Sequence, residues 1–172
     1  MIAVTGGSGL VGQHLLAALT AVQPVRVLYR KTKPVFRLPV RDDRIEWIQG
    51  DVTDSGSLDA FCSGADKLYH LAGMVSYQPG DKEALMLQNA TGTANLVNAA
   101  LAHGVKKMVY LSSIAALGDE KNREVNENST REPGESRTAY SISKWEAEKE
   151  VWRGVAEGLE AHPVQSVRSA ML

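Results

Sequence analysis

Short apolar runs alternate with amphipathic stretches along almost the whole chain. The short runs predict buried strands, whereas apolar residues spaced three or four apart predict helices. The predicted strands are Ile2–Thr5, Val25–Tyr29, Ile45–Ile48, Lys67–Ala72, Lys107–Ser112 and Val164–Arg168. The predicted helices are Leu10–Leu19, Ser57–Cys62, Lys82–Ala102 and Ala139–Leu159.

Strands that are separated by helices favour a parallel sheet, because parallel neighbours need a crossover connection between them. We therefore predict an α/β fold in which a doubly wound parallel sheet, a Rossmann fold, occupies residues 1–172 as one domain. Ligands of such sheets bind at the carboxyl ends of the strands. The segment Asp119–Arg137 is polar and lacks periodicity, so we expect an exposed loop that borders this edge.

The composition limits the class of protein, its partners and its cellular compartment. With 44% hydrophobic and 23% charged residues, the 172-residue chain is an ordinary globular sequence. Its net charge of -1 gives no reason to expect a nucleic acid or an anionic membrane as partner. The single cysteine, Cys62, cannot form an internal disulfide, and no stretch resembles a signal peptide or a membrane span. We expect a cytoplasmic protein in which Cys62 is an apolar filler, and no metal site is predicted.

A glycine-rich segment, Thr5-Gly6-Gly7-Ser8-Gly9-Leu10-Val11-Gly12, joins the first predicted strand to the first helix. Glycine permits a tight turn and a close approach of the backbone to a phosphate, and the helix N-terminus favours an anion. The flanking strand and amphipathic helix therefore favour a dinucleotide pyrophosphate site over an ordinary glycine-rich turn. The predicted contacts are Gly6, Gly9, Leu10, Val11 and Gly12.

The second predicted strand ends in basic residues, at the place where a carboxylate would hold the ribose of NAD. No acidic residue precedes Asp42, whereas Arg30 and Lys31 directly follow the strand Val25–Tyr29. A guanidinium can bind a ribose 2′-phosphate with two hydrogen bonds, while a carboxylate there would repel it. This pattern favours NADP over NAD as the cofactor, and a solvated basic loop is the alternative.

The ends of the third and fourth strands add contacts for the same cofactor. Asp51, with Val52 beside it, is placed to accept a hydrogen bond from the adenine amino group, but a helix-capping or turn aspartate fits the pattern nearly as well. His70, within the fourth strand, is interpreted as a packed residue. The residues expected to let the cofactor pass closely are Leu71, Ala72 and Gly73.

Tyr140 and Lys144 lie four residues apart at the start of a predicted helix and so share one face. A nearby ammonium group lowers the pKa of a phenol, which makes Tyr140 a usable proton donor or acceptor near neutral pH. By itself this spacing favours a surface aromatic–cation pair. Ser112 and Ser113 strengthen the catalytic interpretation, because they lie at the carboxyl end of a predicted strand, where a hydroxyl can hydrogen-bond a substrate carbonyl.

Together these motifs resemble the extended short-chain dehydrogenase/reductases, the family of nucleotide-sugar epimerases, dehydratases and dihydroflavonol reductases. They occur in the family's order and cover essentially the whole chain. Arg30 and Val75-Ser76-Tyr77 are most similar to the dihydroflavonol-reductase-like branch, which prefers NADP. The other matching segments are residues 5–12, Gly50-Asp51-Val52-Thr53-Asp54, His70-Leu71-Ala72-Gly73, Asn89-Ala90-Thr91-Gly92-Thr93, Leu111-Ser112-Ser113 and Tyr140-Ser141-Ile142-Ser143-Lys144.

The resemblance implies a role for each reactive side chain. Ser113, with Ser112 as the fallback, would orient the substrate carbonyl, and Tyr140 would exchange the proton. Lys144 would hold the nicotinamide ribose and tune Tyr140, while Asn89 would support a water-linked proton relay or merely pack its helix. The implied activity is NADP-dependent reduction of a small-molecule carbonyl compound. An NAD-dependent nucleotide-sugar epimerase or dehydratase, and a dinucleotide-binding module without turnover, stay open as alternatives.

The resemblance also implies a homodimer and a longer protein. Helices 82–102 and 139–159 resemble those that form the family's dimer interface. Family members continue into a smaller carboxyl-terminal domain that covers the substrate, and Ser169 stands where they have a proline. We therefore expect the 172 residues to be part of a longer protein. The side chains that could serve either the dimer face or the core are Leu85, Leu96, Trp145 and Trp152.

Overall fold

Six parallel strands form one sheet in the structure, a computed structural model that describes residues 1–117 and 138–164, the last three through their backbone alone. The strands are β1 (Ile2–Thr5), β2 (Val25–Tyr29), β3 (Ile45–Gln49), β4 (Lys67–His70), β5 (Lys107–Leu111) and β6 (Glu160–Val164). Their order across the sheet is β3-β2-β1-β4-β5-β6, and every neighbouring pair is parallel. This is the order of a doubly wound sheet, so the predicted fold class is confirmed.

Helices connect the strands. Within the described residues they are α1 (Leu10–Val22), α2 (Ser55–Cys62), α3 (Lys82–Leu85), α4 (Gly92–Ala102) and α5 (Ala139–Ala156). A π-helical segment, Met86–Thr91, joins α3 to α4, so residues 82–102 are helical throughout, as predicted, but with a wider turn near the start. Among the described residues, no helix combines the length and the apolar character that a membrane crossing requires.

Separate apolar clusters cover the two faces of the sheet, because successive side chains of a strand point to opposite sides. On one face Val4 and Val27 pack with Leu16 of α1. On the other face Ala3 and Leu68 pack with apolar side chains from α2, α4 and α5. Helices on both faces leave only the ends of the strands open to a ligand, which directs attention to the carboxyl edge.

The side chains that could have served a dimer face divide between the core and the surface. Leu85 and Leu96 are fully buried and belong to the interior. Trp152 is 52% exposed, and Trp145 is half-buried, with the Nζ atom of Lys149 4.6 Å from its ring centroid. The leucines therefore serve the core, and the homodimer stays a prediction.

The predicted sixth strand, Val164–Arg168, begins too late, because β6 already starts at Glu160 and Val164 is its last described residue. Helix α5 ends at Ala156, and Gly158 follows with a φ of 105°, a left-handed conformation that favours glycine. The N–H of Leu159 bonds back to the carbonyl oxygen of Gly154 at 2.9 Å, so the chain turns early into β6. Residues 165–168 and the predicted loop 119–137 lie outside the described residues.

Two central strands are shorter than predicted: β4 ends at His70 and β5 ends at Leu111. After β4, the N–H of Leu71 still bonds to the carbonyl oxygen of Thr5 at 3.3 Å. The next N–H, of Ala72, bonds instead to the hydroxyl oxygen of Thr5 at 3.2 Å. This side-chain acceptor takes the backbone out of the ladder, so the segment after β4 leaves the sheet at its carboxyl edge.

His70 is fully buried and packed, as the sequence predicted, and it lies within a directional chain of hydrogen bonds. The Thr93 hydroxyl donates to the carbonyl oxygen of Asn89 at 2.6 Å, so it accepts from Nε2–H of His70 at 3.0 Å. The Nδ1 atom of His70 then accepts from the Thr5 hydroxyl at 2.7 Å. Burial, together with the nearby charge of Lys144, lowers the pKa of His70 to about 3.

Because His70 is buried in its neutral form, we expect the stability of the protein to depend on pH. The unfolded chain gains a proton below about pH 6.5, which the folded chain accepts only near pH 3, so the free energy of unfolding should fall as the pH drops through this window. The slope from His70 approaches about 1.4 kcal/mol per pH unit. The variant His70→Gln should lose this component between about pH 6.5 and 5. Urea unfolding at each pH measures it.

The control for this experiment is His14→Gln, at an exposed position of α1, which should keep the wild-type slope. A His70→Gln protein with the same pH slope as the wild type would contradict the assignment, even if its stability were lower throughout.

Candidate active site

A groove of about 540 Å³ opens at the carboxyl edge of the sheet, over the ends of β1, β2 and β3, and reaches the segment that follows β4. The groove thus includes the carboxyl side of β1 next to β4, the point at which the strand order reverses and where doubly wound sheets bind their ligands. Its wall includes many of the predicted cofactor contacts. Those that line it are Gly6, Gly9, Arg30, Lys31, Val52, Leu71, Ala72 and Gly73.

The glycine-rich segment forms the floor of the groove by close backbone packing. Gly6 has a φ of 71°, and a Cβ atom there would overlap the backbone of Leu71. A Cβ atom at Gly12 would overlap the carbonyl oxygen of Gly6. Gly9 is the N-cap of α1 without a side-chain cap, and the first turn of α1 contains no acidic residue. The uncapped N–H groups and positive helix end fit a pyrophosphate group.

Leu10 and Val11, also predicted as contacts, form the first turn of α1 and do not line the groove among the described residues. The side chain of Leu10 is 77% exposed and that of Val11 is partly exposed. Their backbone N–H groups belong to the helix end just described, so any contact with an anion there would come from the backbone rather than from the side chains.

Arg30 and Lys31 lie where the groove passes the end of β2. The Arg30 side chain is 63% exposed, and its Nη1 atom lies 3.8 Å from Oδ2 of Asp51. Two other basic residues of this region are bound elsewhere. Arg26 pairs with Glu46 and donates to carbonyl oxygens at the end of α2, and Arg41 pairs with Asp43. The basic character of the groove therefore comes from Arg30 and Lys31 among the described residues.

Asp51 holds a turn and lies near the groove residue Arg30, but it does not line the groove among the described residues. Its Oδ1 atom accepts from both the backbone N–H and the hydroxyl of Thr53, each at 2.9 Å. Its Oδ2 atom is the one near Arg30. The two sequence alternatives for Asp51 thus use different oxygens and are compatible. Val52 is buried in the wall, where a Cβ atom on Gly92 would come within 2.7 Å of it.

The segment after β4 is held in place by Asn89, which is 2% exposed and comes from the π-helical turn. Its Oδ1 atom accepts from Met74 N–H at 2.7 Å, and its Nδ2 atom donates to the Met74 carbonyl oxygen at 2.9 Å. Nδ2 also donates to the Ser143 hydroxyl at 2.9 Å. Asn89 therefore ties the groove segment to α5, and its predicted part in a proton relay stays a prediction.

Lys144 lies beside the groove residue Gly73, and Tyr140 lies one turn earlier on α5, but among the described residues neither side chain lines the groove itself. Thr138 caps α5 by accepting from Ser141 N–H at 3.1 Å, which sets the start of the helix just before Tyr140. The Nζ atom of Lys144 donates to the carbonyl oxygen of Leu111 at 2.8 Å and would lie 4.0 Å from a Cβ atom on Gly73. Tyr140 is 8% exposed and Lys144 is 5% exposed, so neither is the surface pair that the spacing alone suggested.

Burial shapes the chemistry of this pair. Desolvation lowers the pKa of Lys144 to about 8, and the carboxylate of Glu148 acts in the opposite direction. The Nζ atom also lies 4.3 Å from the ring centroid of Tyr110, within range of a cation–π interaction. The ring of Tyr77 packs edge-on against Tyr140, with centroids 5.9 Å apart. The ammonium group is thus fixed in place and only moderately basic.

The two serines after β5 have different environments. Ser112 is 6% exposed, and its hydroxyl donates to Oε1 of buried Glu148. Ser113 is half-buried, and its hydroxyl oxygen accepts from Ala115 N–H at 3.2 Å. Among the described residues no acceptor holds the Ser113 hydroxyl proton, whereas the proton of Ser112 is engaged by Glu148. Ser113 therefore fits the predicted role better than Ser112 does.

Several groove residues were not predicted from the sequence. Trp47 pairs in register with Val27, another wall residue, so the end of β3 could have indicated it. Gln88 comes from the π-helical turn, whose residues do not follow the 3.6-residue period. The other unpredicted wall residues are Thr5, Ser8, Val27, Leu28, Tyr29, Thr32, Pro34, Gly50 and Met74. Within the described residues, no three His, Cys, Asp or Glu side chains gather as a metal site would require.

Sequence comparisons identify proteins that resemble this chain. The profile of the NAD dependent epimerase/dehydratase family matches residues 2–164. A Synechocystis sp. protein, provisionally named a dihydroflavonol 4-reductase, is 34% identical over 157 residues, covering 90% of this chain and 45% of that protein. Sterol demethylase protein B of Methylococcus capsulatus is 34% identical over 158 residues, covering 91% of this chain and 48% of that protein. The chain spans about half the length of the curated relatives it matches.

A solved structure shares the fold. The dTDP-glucose 4,6-dehydratase DesIV from Streptomyces venezuelae, with NAD and TYD bound, superposes with a TM-score of 0.80 at 25% identity. The similarity covers 95% of this chain and 54% of that one. The shared part is therefore the whole sheet described above and about half of the dehydratase.

The packing of the glycine-rich segment predicts how Gly12→Ala changes the free energy of unfolding. Helix propensity and steric overlap act on it in opposite directions. Helix propensity alone predicts that Gly12→Ala stabilises the protein by up to about 1 kcal/mol. The overlap with the Gly6 carbonyl oxygen is with backbone, which cannot rotate away, so we expect a net loss of about 1–3 kcal/mol. Urea unfolding measures the change.

Gly9→Ala is the matched control, because its Cβ atom would lie 3.4 Å from the same oxygen. It should cost less than about 1 kcal/mol, the usual effect of alanine at an N-cap. A Gly12→Ala protein more stable than the wild type would mean that the close approach is not a constraint.

Proposed function

The chain belongs to the NAD dependent epimerase/dehydratase family, and on that premise we propose that it binds NADP and reduces a carbonyl compound, in the manner of the dihydroflavonol-reductase-like members. One observation carries the proposal. The buried ammonium group of Lys144 lies 4.0 Å from a Cβ atom built on Gly73, a groove residue, and Tyr140 lies one turn earlier on α5, while Arg30 and Lys31 line the groove at the end of β2. A nicotinamide dinucleotide has its reactive ring and its adenosine ribose at opposite ends, as this arrangement requires.

The preference for the phosphorylated cofactor rests on charge. Arg30 is exposed and only loosely associated with Asp51, so its guanidinium can turn toward a 2′-phosphate. Lys31 adds a second positive charge on the same wall. No carboxylate precedes these residues in the chain to hold the ribose hydroxyls of NAD in the usual way.

Each reactive side chain has a physical role in the proposed reduction. Below about pH 8 Lys144 is charged, and one of its three donors is used by Leu111, which leaves the others for a ribose hydroxyl. Tyr140 donates its phenolic proton to the substrate oxygen. Ser113 donates a hydrogen bond to the same oxygen and orients it. A bound nicotinamide supplies the hydride.

A second candidate is an NAD-dependent nucleotide-sugar epimerase or dehydratase. Asp51 favours it, because its carboxylate lies between the groove-lining residues Gly50 and Val52 and would oppose a phosphate. The fold similarity to a dehydratase that holds NAD points in the same direction. A dinucleotide-binding module without turnover is the third candidate, and the buried Tyr140 and Lys144 pair argues against it.

The cofactor proposal is tested by titrating NADPH and NADH into the protein by calorimetry. NADPH should bind more tightly, and Arg30→Gln should weaken NADPH binding by roughly tenfold or more, the usual value of a charge-assisted hydrogen bond. NADH binding should change little. Arg41→Gln, which removes an exposed arginine already paired with Asp43, is the matched control and should leave both affinities unchanged. A preference for NADH in the wild type would favour the second candidate.

The reductase proposal is tested by Tyr140→Phe in the longest form of the protein that shows turnover. We expect kcat to fall at least a hundredfold, the lower bound of general acid catalysis, with the dinucleotide affinity preserved. Tyr69→Phe is the control, because Tyr69 packs against the apolar cluster on the α1 face of the sheet. Unchanged kcat in Tyr140→Phe would remove Tyr140 from the mechanism.

A further inference from the structure

Helix α5 carries a third polar side chain on the face of Tyr140 and Lys144. Glu148 lies four residues beyond Lys144 and eight beyond Tyr140, so the three align along the helix. Its side chain is buried, with 8% of the residue exposed. A buried carboxylate costs stability unless hydrogen bonds or opposite charges compensate it, so its surroundings indicate why it is there.

Glu148 and Lys144 bind two consecutive residues at the end of β5. The Ser112 hydroxyl donates to Oε1 of Glu148, and the Leu111 carbonyl oxygen accepts from Nζ of Lys144 at 2.8 Å. Glu148 thus accepts a hydrogen bond from Ser112, just after β5. Lys144, one turn earlier on α5, donates a hydrogen bond to Leu111, the last residue of β5. Ser113, the predicted substrate contact, is the next residue along the chain. The two hydrogen bonds therefore fix the backbone immediately before Ser113.

The same carboxylate lies within the electric field of Lys144. Among the described residues, the groups shown near this ammonium group are Glu148 on α5, Tyr110 on β5 and His70 on β4. His70 is neutral at ordinary pH, and burial followed by the charge of Glu148 raises the pKa of Tyr110. Glu148 is therefore the negative charge that opposes the effect of burial on Lys144.

Other glutamates of α5 behave differently. Glu146 pairs with Lys149 at 2.8 Å and Glu150 pairs with Arg153 at 2.8 Å, both between side chains that are about a third exposed or more. These are i,i+3 ion pairs at the surface, which contribute little and reach no residue of the site. The buried position of Glu148 is therefore specific to the face that Tyr140 and Lys144 occupy.

We propose that Glu148 is a positioning residue of this site, which fixes Ser113 through Ser112 and balances the buried ammonium group of Lys144. The inference deepens the proposed function and rests on it for the parts that Ser113 and Lys144 play in turnover. The contacts themselves are independent of any bound cofactor. Glu148 touches neither substrate nor cofactor in this scheme and acts through its two partners.

The test follows the Nζ and Cε signals of Lys144 by heteronuclear NMR as the pH is raised, in the protein without cofactor. Glu148→Gln should move the midpoint of Lys144 down by about one pH unit or more from its wild-type value near 8. Glu146→Gln, on the same helix, should leave the midpoint unchanged. An unchanged midpoint in Glu148→Gln would overturn the electrostatic part of the proposal, whatever the outcome of the cofactor titrations.

A second measurement covers the case in which Glu148→Gln does not fold. In the unaltered protein the side-chain carboxyl carbon of Glu148 should show an inflection at the pH at which Lys144 titrates, and its absence would refute the coupling. Where turnover can be measured, Glu148→Gln should lower kcat and shift the alkaline limb of the pH profile to lower pH by the same amount as the NMR midpoint. A lower kcat with an unshifted limb would mean a structural role only.

Discussion

The site depends on keeping a charged amine inside the protein. Lys144 is 5% exposed, and a buried ammonium group costs several kcal/mol of stability unless its surroundings compensate it. The Leu111 carbonyl oxygen, the Tyr110 ring and the Glu148 carboxylate supply that compensation. Two of the three come from β5 and one from α5, so the contacts that stabilise the charge also fix the helix against the strand. The position of Tyr140 is a consequence of this arrangement, because it lies one turn earlier on α5.

A neutral network completes the other half of the site. The chain of hydrogen bonds from Ala72 N–H through Thr5, His70 and Thr93 to the Asn89 carbonyl has one direction throughout. A protonated His70 would present a donor to the Thr5 hydroxyl, whose own proton would then lack its acceptor. The groove wall after β4 is therefore held by groups that must stay uncharged, while the end of β5 is held by charges. Both networks end at α5 or at the π-helical turn beside it.

Strong local patterns made much of the fold predictable. The bounds of β1 and β2 follow from their apolar runs alone, and the glycine spacing correctly placed Gly6 and Gly9 in the groove. The start of β6 was wrong, because a left-handed Gly158 redirects the chain before the apolar run that suggested a strand. Nothing in the sequence around Gly158 distinguishes it from other glycines. Its left-handed conformation, which ends α5 and turns the chain into β6, is seen only in the structure.

Side-chain contacts between distant segments were beyond sequence reasoning. Arg26 and Arg30 are alike in a basic stretch, but Arg26 reaches the end of α2, some 35 residues later, while Arg30 faces the groove. Ser112 and Ser113 are adjacent, and the structure separates them through Glu148 on another element. Asn89 reaches Met74 because a π-helical turn alters which side chains share a face, and no periodicity indicates such a turn.

In the proposed function, recognition of the pyrophosphate and choice between the two cofactors would rest on different kinds of interaction. The floor of the groove is backbone packed on backbone at Gly6 and Gly12, so it cannot change without disturbing β1, β4 and α1 together. The discriminating end is an exposed guanidinium 3.8 Å from a carboxylate that a turn holds in place. An exposed pair of this kind contributes about 0–1 kcal/mol to stability, so Arg30 can exchange Asp51 for a phosphate at little cost to the fold. In the proposed function, cofactor preference would therefore reside in side chains that the fold tolerates losing, whereas dinucleotide binding would reside in glycines that the backbone packing constrains.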